Sequence, residues 1–442
     1  MVDKKCLGIL KRGVEHWNKW RNSDRYTELD LRGINLSNET LLGVDFKGVN
    51  LAGAKLIKCN FCGSNFDGAN LTGANLTEAN FSGSSFCGVN LTGAILIRAN
   101  YRGAESAGSN FSLANLSGAD LRVVDFRGAE LSGANLAQTN LNGANFTGAN
   151  LTRASFRLAQ LDSTNFSHAN LTQGNFTQAN LTNANLEQAN LSETNFAYAN
   201  LHQANLTKAD LSEANLTNTN LAWANLTKAD LTRASLAQAD LTRSNLIEAN
   251  LTQVDLNRSN LIEANLTRAN LRGTLAWGTN FNRSIMTGVC LENLKIDLQT
   301  SFLKIICQHL YLAHNEQQRL PQDRQKTLSS QEFKVVIQNL LDSVEVIFNE
   351  DIDWSIMLQA FEALQQEYPA HKLRLRAVEA SSNYRFSVKI KIYPQNDYEQ
   401  IVQYFRDQYQ LLALAINNPR SVKNSRPETS FKQEKLNFYE QN

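Results

Sequence analysis

Ala69-Asn70-Leu71-Thr72-Gly73-Ala74-Asn75-Leu76-Thr77-Glu78 is one five-residue unit written twice: a small residue, Asn or Asp, a large apolar centre, then two mostly polar positions. The register holds without a slip from Leu31 to Leu291, giving 53 centres of which 36 are Leu and 13 are Phe. Tyr101, Ser106, Ala276 and Met286 are the exceptions. A period of five is neither the 3.6 of a helix nor the 2 of a strand. Wound as a helix, it would spread its Leu residues over every face. All centres can point inward only if the chain turns at each repeat, with successive coils pairing through backbone hydrogen bonds.

The Phe positions give the length of a coil. Phe46, Phe66 and Phe86 are twenty apart, as are Phe126, Phe146 and Phe166, and Phe156, Phe176 and Phe196. Thr72, Thr92, Ser112, Ser132, Thr152 and Thr172 keep the same step on the polar side, and so do Asn50, Asn70, Asn90 and Asn110. Twenty residues per coil is four sides. At the ordinary strand spacing of about 4.8 Å, some thirteen coils make a square rod about 60 Å long. The spacing therefore predicts an all-β solenoid.

The Ala69–Gly73 motif and its copies resemble the pentapeptide-repeat family, and the resemblance runs from Leu31 to Leu291. It implies a right-handed quadrilateral β-helix. Members of one branch of that family resemble B-form DNA in shape and negative charge and bind DNA gyrase. Between Leu31 and Cys290, however, 18 Lys and Arg face 18 Asp and Glu, and no inserted loop breaks the register. The rod has the shape without the charge, which disfavours the gyrase reading. The Trp17–Arg21 run resembles leaders of cyanobacterial members of the family, and the C-terminal segment loosely resembles a domain of such proteins.

Composition narrows the classes. Lys and Arg number 43 against 42 Asp and Glu, a net charge of +1, so no global field draws in nucleic acid or an anionic membrane. No run of apolar residues is long enough to span a bilayer. The start, Met1-Val2-Asp3-Lys4-Lys5-Cys6, has no signal-peptide apolar core, and six cysteines do not make a disulfide framework. A cytoplasmic location is expected, with a protein partner rather than nucleic acid, no membrane span, and an oligomeric state that the sequence leaves open.

Taken in order, residues 1–28 read as an N-terminal capping helix, with a helix over 3–22 whose apolar face is Leu7, Leu10, Val14, Trp17 and Arg21. The first coil of a solenoid exposes apolar surface and bare strand edges that need a cover. The alternative for this helix is partner docking through Trp20. Residues 29–292 form the β-helix, 293–329 an end cap and linker, 330–416 a small α+β domain and 417–442 a disordered tail. The linker is placed at Gln317–Lys326. In the α+β domain helices are expected over 331–342, 354–367 and 398–416, opened by Ser330, Asp353 and Asp397, with a hairpin of strands over 372–379 and 384–393.

Inside the repeats, the second residue after each centre is usually Gly up to Phe146, then becomes Arg, Gln, Glu, Lys or Asn from Arg153 to Arg268. Gly there suits the positive φ of a type II turn, so the turns are expected to change type near residue 150. The same positions line up charges twenty apart: Lys208, Lys228, Glu248 and Arg268; Glu193, Glu213 and Arg233; Arg243, Glu263 and Arg283. These read as a solvated face or as a charged docking strip. At Ser106 the Phe column loses a ring, and a local void or kink filled by Phe86 or Phe126 is expected, with a ligand pocket as the lesser reading.

Cys59, Cys62 and Cys87 have the residue types of a zinc site, but the fold would send Cys59 inward and the other two out on different sides. There is no phosphate-cradling Gly loop and no nucleophile elbow. The six histidines are scattered, and Glu379 and Arg385 flank the hairpin as a surface pair. No catalytic, cofactor-binding or metal-binding residue is assigned, and no cofactor is expected. The sequence reads as a non-enzymatic scaffold for protein–protein interaction whose C-terminal domain recognises or regulates a partner. An unrecognised activity in residues 330–416 is the remaining alternative.

Overall fold

A computed structural model describes residues 4–23, 29–297, 299–313, 317–341, 343–348, 353–381, 385–392 and 398–417. The Asp397 cap and the tail beyond residue 417 lie outside the described residues. Two compact units divide the chain, Met1–Val336 and Ile337–Asn442.

The first unit is a β-helix. Parallel bridges join residues twenty apart along its length, in series five residues out of phase: Asn50 with Asn70, Lys55 with Asn75, Asn60 with Asn80, Asn65 with Ser85. Phe46 and Phe66 lie in one column with ring centroids 5.5 Å apart, and Phe66 stacks on Phe86 at 4.8 Å and 6°. The Leu and Phe centres are almost all fully buried, each contributing about 1.5–3 kcal/mol of apolar transfer.

Each residue type in the five has a reason. The Asn or Asp before the centre turns its Oδ1 onto the backbone N–H two residues on, as Asn70 does for Thr72 at 3.1 Å. A Thr there adds its hydroxyl to the same oxygen, at 2.6 Å for Thr72. This local Asx turn is the chemistry that favours Asn, Asp, Ser and Thr at bends. The N–H three residues after the centre closes the turn back onto the centre's carbonyl (Ala74 to Leu71, 3.0 Å), at a buried site held mostly by Ala, Ser, Thr or Val.

The turns do not change type near residue 150. The second residue after the centre has positive φ on both sides of it: 63° at Gly73, 59° at Arg153, 58° at Gln203 and 60° at Arg233. The inter-coil ladder holds this conformation, because that residue's N–H donates to a carbonyl nineteen residues on, from Gly73 to Thr92 and from Arg233 to Thr252, both at 3.0 Å. Side chains that carry a left-handed penalty are thus held where Gly would be free.

At the start of this unit the expected single helix is two, α1 (Lys4–Leu10) and α2 (Val14–Ser23), parted at Gly13 with φ 107°. Trp17 of α2 is fully buried, edge-on to Phe46 at 5.6 Å. Its Nε1–H donates to the Asp45 carbonyl at 2.7 Å, and the Asn18 side-chain oxygen accepts from the Asp45 N–H at 2.9 Å. Arg21 donates to the Lys47 carbonyl at 2.5 Å. Trp17, Asn18 and Arg21 thus supply hydrogen bonds that later coils receive from the coil before.

At the far end the coil continues past Leu291, with its step lengthened to 21: Asn280 bridges Ser301 and Ile285 bridges Ile306. Phe302 stacks on Phe281 at 5.0 Å. The strand β1 (Val289–Cys290) pairs in parallel with β2 (Leu310–Ala313). β3 (Gln317–Leu320), which falls in the stretch expected to be linker, turns back antiparallel to β2. α3 (Ser330–Leu341) begins in this unit and sets Phe333 edge-on to Phe302 at 6.0 Å. Its cap is Ser329 rather than Ser330: the Ser329 hydroxyl accepts from the Glu332 N–H, and the Glu332 carboxylate accepts from the Ser329 N–H at 2.7 Å.

In the second unit β4 (Ser343–Phe348) is followed by α4 (Trp354–Glu367), β5 (Arg374–Ser381), β6 (Arg385–Lys391) and α5 (Tyr398–Asn417). The sheet order is β4-β6-β5, antiparallel throughout its pairings. Val346, Phe348, Phe386, Val388 and Ile390 form a core with Ile356, Met357, Phe361 and Leu364 of α4 and Ile401, Phe405 and Tyr409 of α5. Asp353 caps α4, its side chain accepting from the N–H groups of Ser355 and Ile356. β4 has no counterpart among the expected elements, although Val344, Val346 and Phe348 alternate.

Candidate interaction surface

The outward side chains that differ most from coil to coil sit at the positive-φ turn positions. Up to Gly148 most are Gly, and the exceptions include two apolar residues. Leu113 and Val123 are 69% and 57% exposed, yet a Cβ placed on Gly133 or Gly143 would meet them at 2.9 and 3.2 Å. Each side chain therefore reaches along the column to the bare turn one coil on.

From Arg153 onward the same columns become ladders of long side chains. Arg153 Nε donates to Gln173 at 2.8 Å, and Gln173 donates to Glu193 at 2.8 Å. Lys228 and Arg268 sit on either side of Glu248 at 3.4 and 3.6 Å. Arg233 meets Glu213 at 3.3 Å. Glu263 lies between Arg243 (2.6 Å) and Arg283 (3.2 Å), and the hydrogen bond from Arg243, then that from Arg283, holds its carboxyl below the usual range. The sequence placed these charges in columns, and the structure brings them together as pairs. Each pair is exposed, so solvent and salt screen it.

Trp223 continues the Arg243–Glu263–Arg283 column, with the Arg243 guanidinium 4.8 Å above its ring. Trp223 is 51% exposed, Tyr198 62% and Trp277 45%. Charge spacing alone does not pick out these three. The signal was present, since Tyr198 and Trp223 stand at the second position after a centre, where polar residues or Gly prevail.

The first half has one ladder of the same kind, Lys58 and Arg98 on either side of Glu78 at 3.4 and 3.5 Å, and otherwise shorter-range charges. Asp30, Asp120 and Asp125 pair with Arg32, Arg122 and Arg127 two residues on, at 2.8, 2.6 and 2.7 Å. Those guanidinium hydrogen bonds bring Asp30 down to about 2 and lower Asp120 and Asp125. Cys59 is buried with its thiol on the Leu36 carbonyl at 2.7 Å, and burial pushes it up to about 11. Cys62 is exposed, Cys87 is half-buried, and the three do not converge. Ser106 is fully buried and Tyr101, rather than Phe86 or Phe126, leans into its column, 4.7 Å from Phe86.

The sequence profile described as pentapeptide repeats matches the chain in eight copies between residues 27 and 297. Among solved structures the chain is similar to HetL, a pentapeptide repeat protein involved in heterocyst differentiation regulation from the cyanobacterium Nostoc sp., at 23% identity over 67% of this chain and 96% of that one, with a TM-score of 0.19. It is similar to Rfr23, a pentapeptide repeat protein from the cyanobacterium Cyanothece, at 37% identity over 22% of this chain and 63% of that one, TM-score 0.19. Full-length QnrB1, a plasmid-mediated fluoroquinolone resistance protein, is 14% identical over 70% of this chain and 99% of that one, TM-score 0.14. No curated protein matches. Among the described residues no helix is long and apolar enough to cross a membrane.

Proposed function

This chain belongs to the pentapeptide-repeat family, and from that premise we propose that it is a non-enzymatic scaffold that binds a protein partner along the turn columns of residues 153–283. The reading takes the rod as a right-handed quadrilateral β-helix, which the four bridge series at five-residue offsets support. Residues 1–28 close its first coil. The sheet and two helices after residue 337 support a C-terminal α+β domain; in this proposal that domain recognises or regulates the partner, and the protein is cytoplasmic.

The observation that carries the reading is the exposed Trp223 ring held under Arg243, within a column whose next members are fixed by ion pairs. Aromatic and Arg side chains already ordered before contact lose little entropy on binding, and such residues dominate interface energetics. A solvated face needs charge but has no use for exposed Trp.

Pull-down with the full chain, beside a full-length variant carrying Tyr198→Ala, Trp223→Ala and Arg243→Ala, tests this. The reading expects partners that the variant fails to retain and that a Leu113→Ala, Val123→Ala control retains. Equal retention by all three proteins removes it. A DNA-mimicking gyrase inhibitor is disfavoured by the balanced charge of the repeats. The expected result in a supercoiling assay is no inhibition at micromolar protein.

A further inference from the structure

Ser106 is the one centre from Leu31 to Leu291 whose side chain is polar and smaller than Leu, Phe, Tyr or Met, apart from Ala276. It lies between Phe86 and Phe126 in its column, where every neighbouring coil supplies a ring. Tyr101, on the preceding five, tilts out of its own column. Its ring is 5.1 Å from Phe81 below it but 4.7 Å from Phe86, close to the 4.8 Å at which Phe66 stacks on Phe86 from the other side. The phenol therefore leans toward the place that a Leu or Phe at 106 would fill, without replacing the missing ring.

This places two polar groups in an apolar column. Tyr101 and Ser106 are both fully buried, and neither the Tyr101 Oη nor the Ser106 Oγ has a hydrogen-bond partner in the protein. The nearby Ser109 hydroxyl is already committed to the Ser106 carbonyl at 2.5 Å. Burial also pushes the Tyr101 phenol well above its ordinary range, so it stays a neutral O–H donor. A phenol donor and a hydroxyl that can donate or accept, beside a side chain too small for its place, are what a buried water needs.

We infer that the hollow at Ser106 is a closed binding site for one water molecule, which accepts from the Tyr101 O–H and exchanges a hydrogen bond with Ser106 Oγ. The occupant is a single small neutral donor–acceptor because the surrounding walls are Phe86, Phe111 and Phe126, which would solvate no ion.

Two conservative variants of the full chain, Tyr101→Phe and Ser106→Ala, separate a water-held pair from two stranded hydroxyls. Amide hydrogen exchange is read over residues 91–130. With the water, each variant strands it or the remaining hydroxyl, and exchange there speeds up by about 5- to 30-fold. The double variant then loses little more than either single one. If the hydroxyls are stranded without water, removing either relieves an unpaired buried group, and exchange slows or stays the same; that result overturns the inference. A crystal structure of the full chain at a resolution that shows ordered water gives the second readout. Density within hydrogen-bond distance of both oxygens is expected, and an empty hollow contradicts the site.

Discussion

The coils before residue 150 and those after it share one backbone and differ in nearly everything attached to it. The first set turns mostly on Gly, and Phe recurs among its centres and on to Phe196. The second turns on Arg, Gln, Glu and Lys at the same positive φ, and from Leu201 to Leu271 every centre is Leu. The difference teaches that the ladder fixes the turn, not the residue in it. Once N–H groups such as that of Arg233 are bound to the next coil, the turn position can carry a side chain of any chemistry at a modest conformational cost. The first set uses that freedom in the Lys58–Glu78–Arg98 ladder, the second at almost every coil, for several charge ladders and an exposed Trp.

The largest expected contrast is in the core. Phe66→Ala removes a ring that touches Phe46, Phe61, Phe81 and Phe86, and is expected to cost about 3–5 kcal/mol. Leu226→Ala, in the uniform Leu column, is expected to cost about 2–5 kcal/mol, below its Phe counterpart. Urea unfolding of both variants measures this, and a costlier Leu226→Ala would break the distinction between the cores.

Next come the turns. Gly73→Ala puts a side chain at φ 63° with open space around it, for about 1–2 kcal/mol. Gly133→Ala is expected to cost more, because its Cβ would meet Leu113 at 2.9 Å. Thermal unfolding ranks the two. In the second set the sign reverses. Gln203→Gly relieves a left-handed side chain and loses some of the gain to unfolded-chain entropy, for a net stabilisation of about 0.5–1 kcal/mol. Destabilisation by Gln203→Gly would mean that the turn is not strained.

The smallest effect is electrostatic. Glu263 has its carboxyl lowered from 4.5 in the folded chain, so its pairing contributes fully above about 4.5 and is lost as pH falls through the lowered value. Asp120 and Asp125 start from 3.8 and are lowered too, so their pairs contribute fully above about 3.8 and are lost as pH falls through their own lowered values. Side-chain carboxyl chemical shifts followed from neutral pH downward are expected to show Glu263 titrating below an ordinary Glu. High salt is expected to weaken the Arg243–Glu263–Arg283 ladder, since its members are exposed.

The coil step and the inward column were legible because Phe46, Phe66 and Phe86 repeat at the spacing that stacks them. The turn chemistry is not legible in the Gly positions, because at Arg153 the inter-coil hydrogen bond to Thr172 holds the positive φ that Gly adopts freely. Gly13 split the first helix through a single positive φ that the apolar spacing of Leu10, Val14 and Trp17 does not register. The extra coil past Leu291 was hidden by the lengthened step, which shifts Phe302 out of the five-residue count while leaving it on Phe281. β4 was missed because Ser343–Phe348 is short and its partner β6 lies some forty residues on. The charge columns of the candidate surface could be read from spacing. The exposure of Tyr198 and Trp223 could be judged only once their turn positions were known to point outward.

A crystal structure of the full chain, read at the turn residues of both sets, tests the account most directly. Positive φ near 60° at Gly73 and at Arg233 alike, with Arg233 N–H on the Thr252 carbonyl, is the predicted result. A negative φ at Arg233, with that N–H bound elsewhere, would contradict it, and the turn columns could no longer be treated as one frame carrying two chemistries.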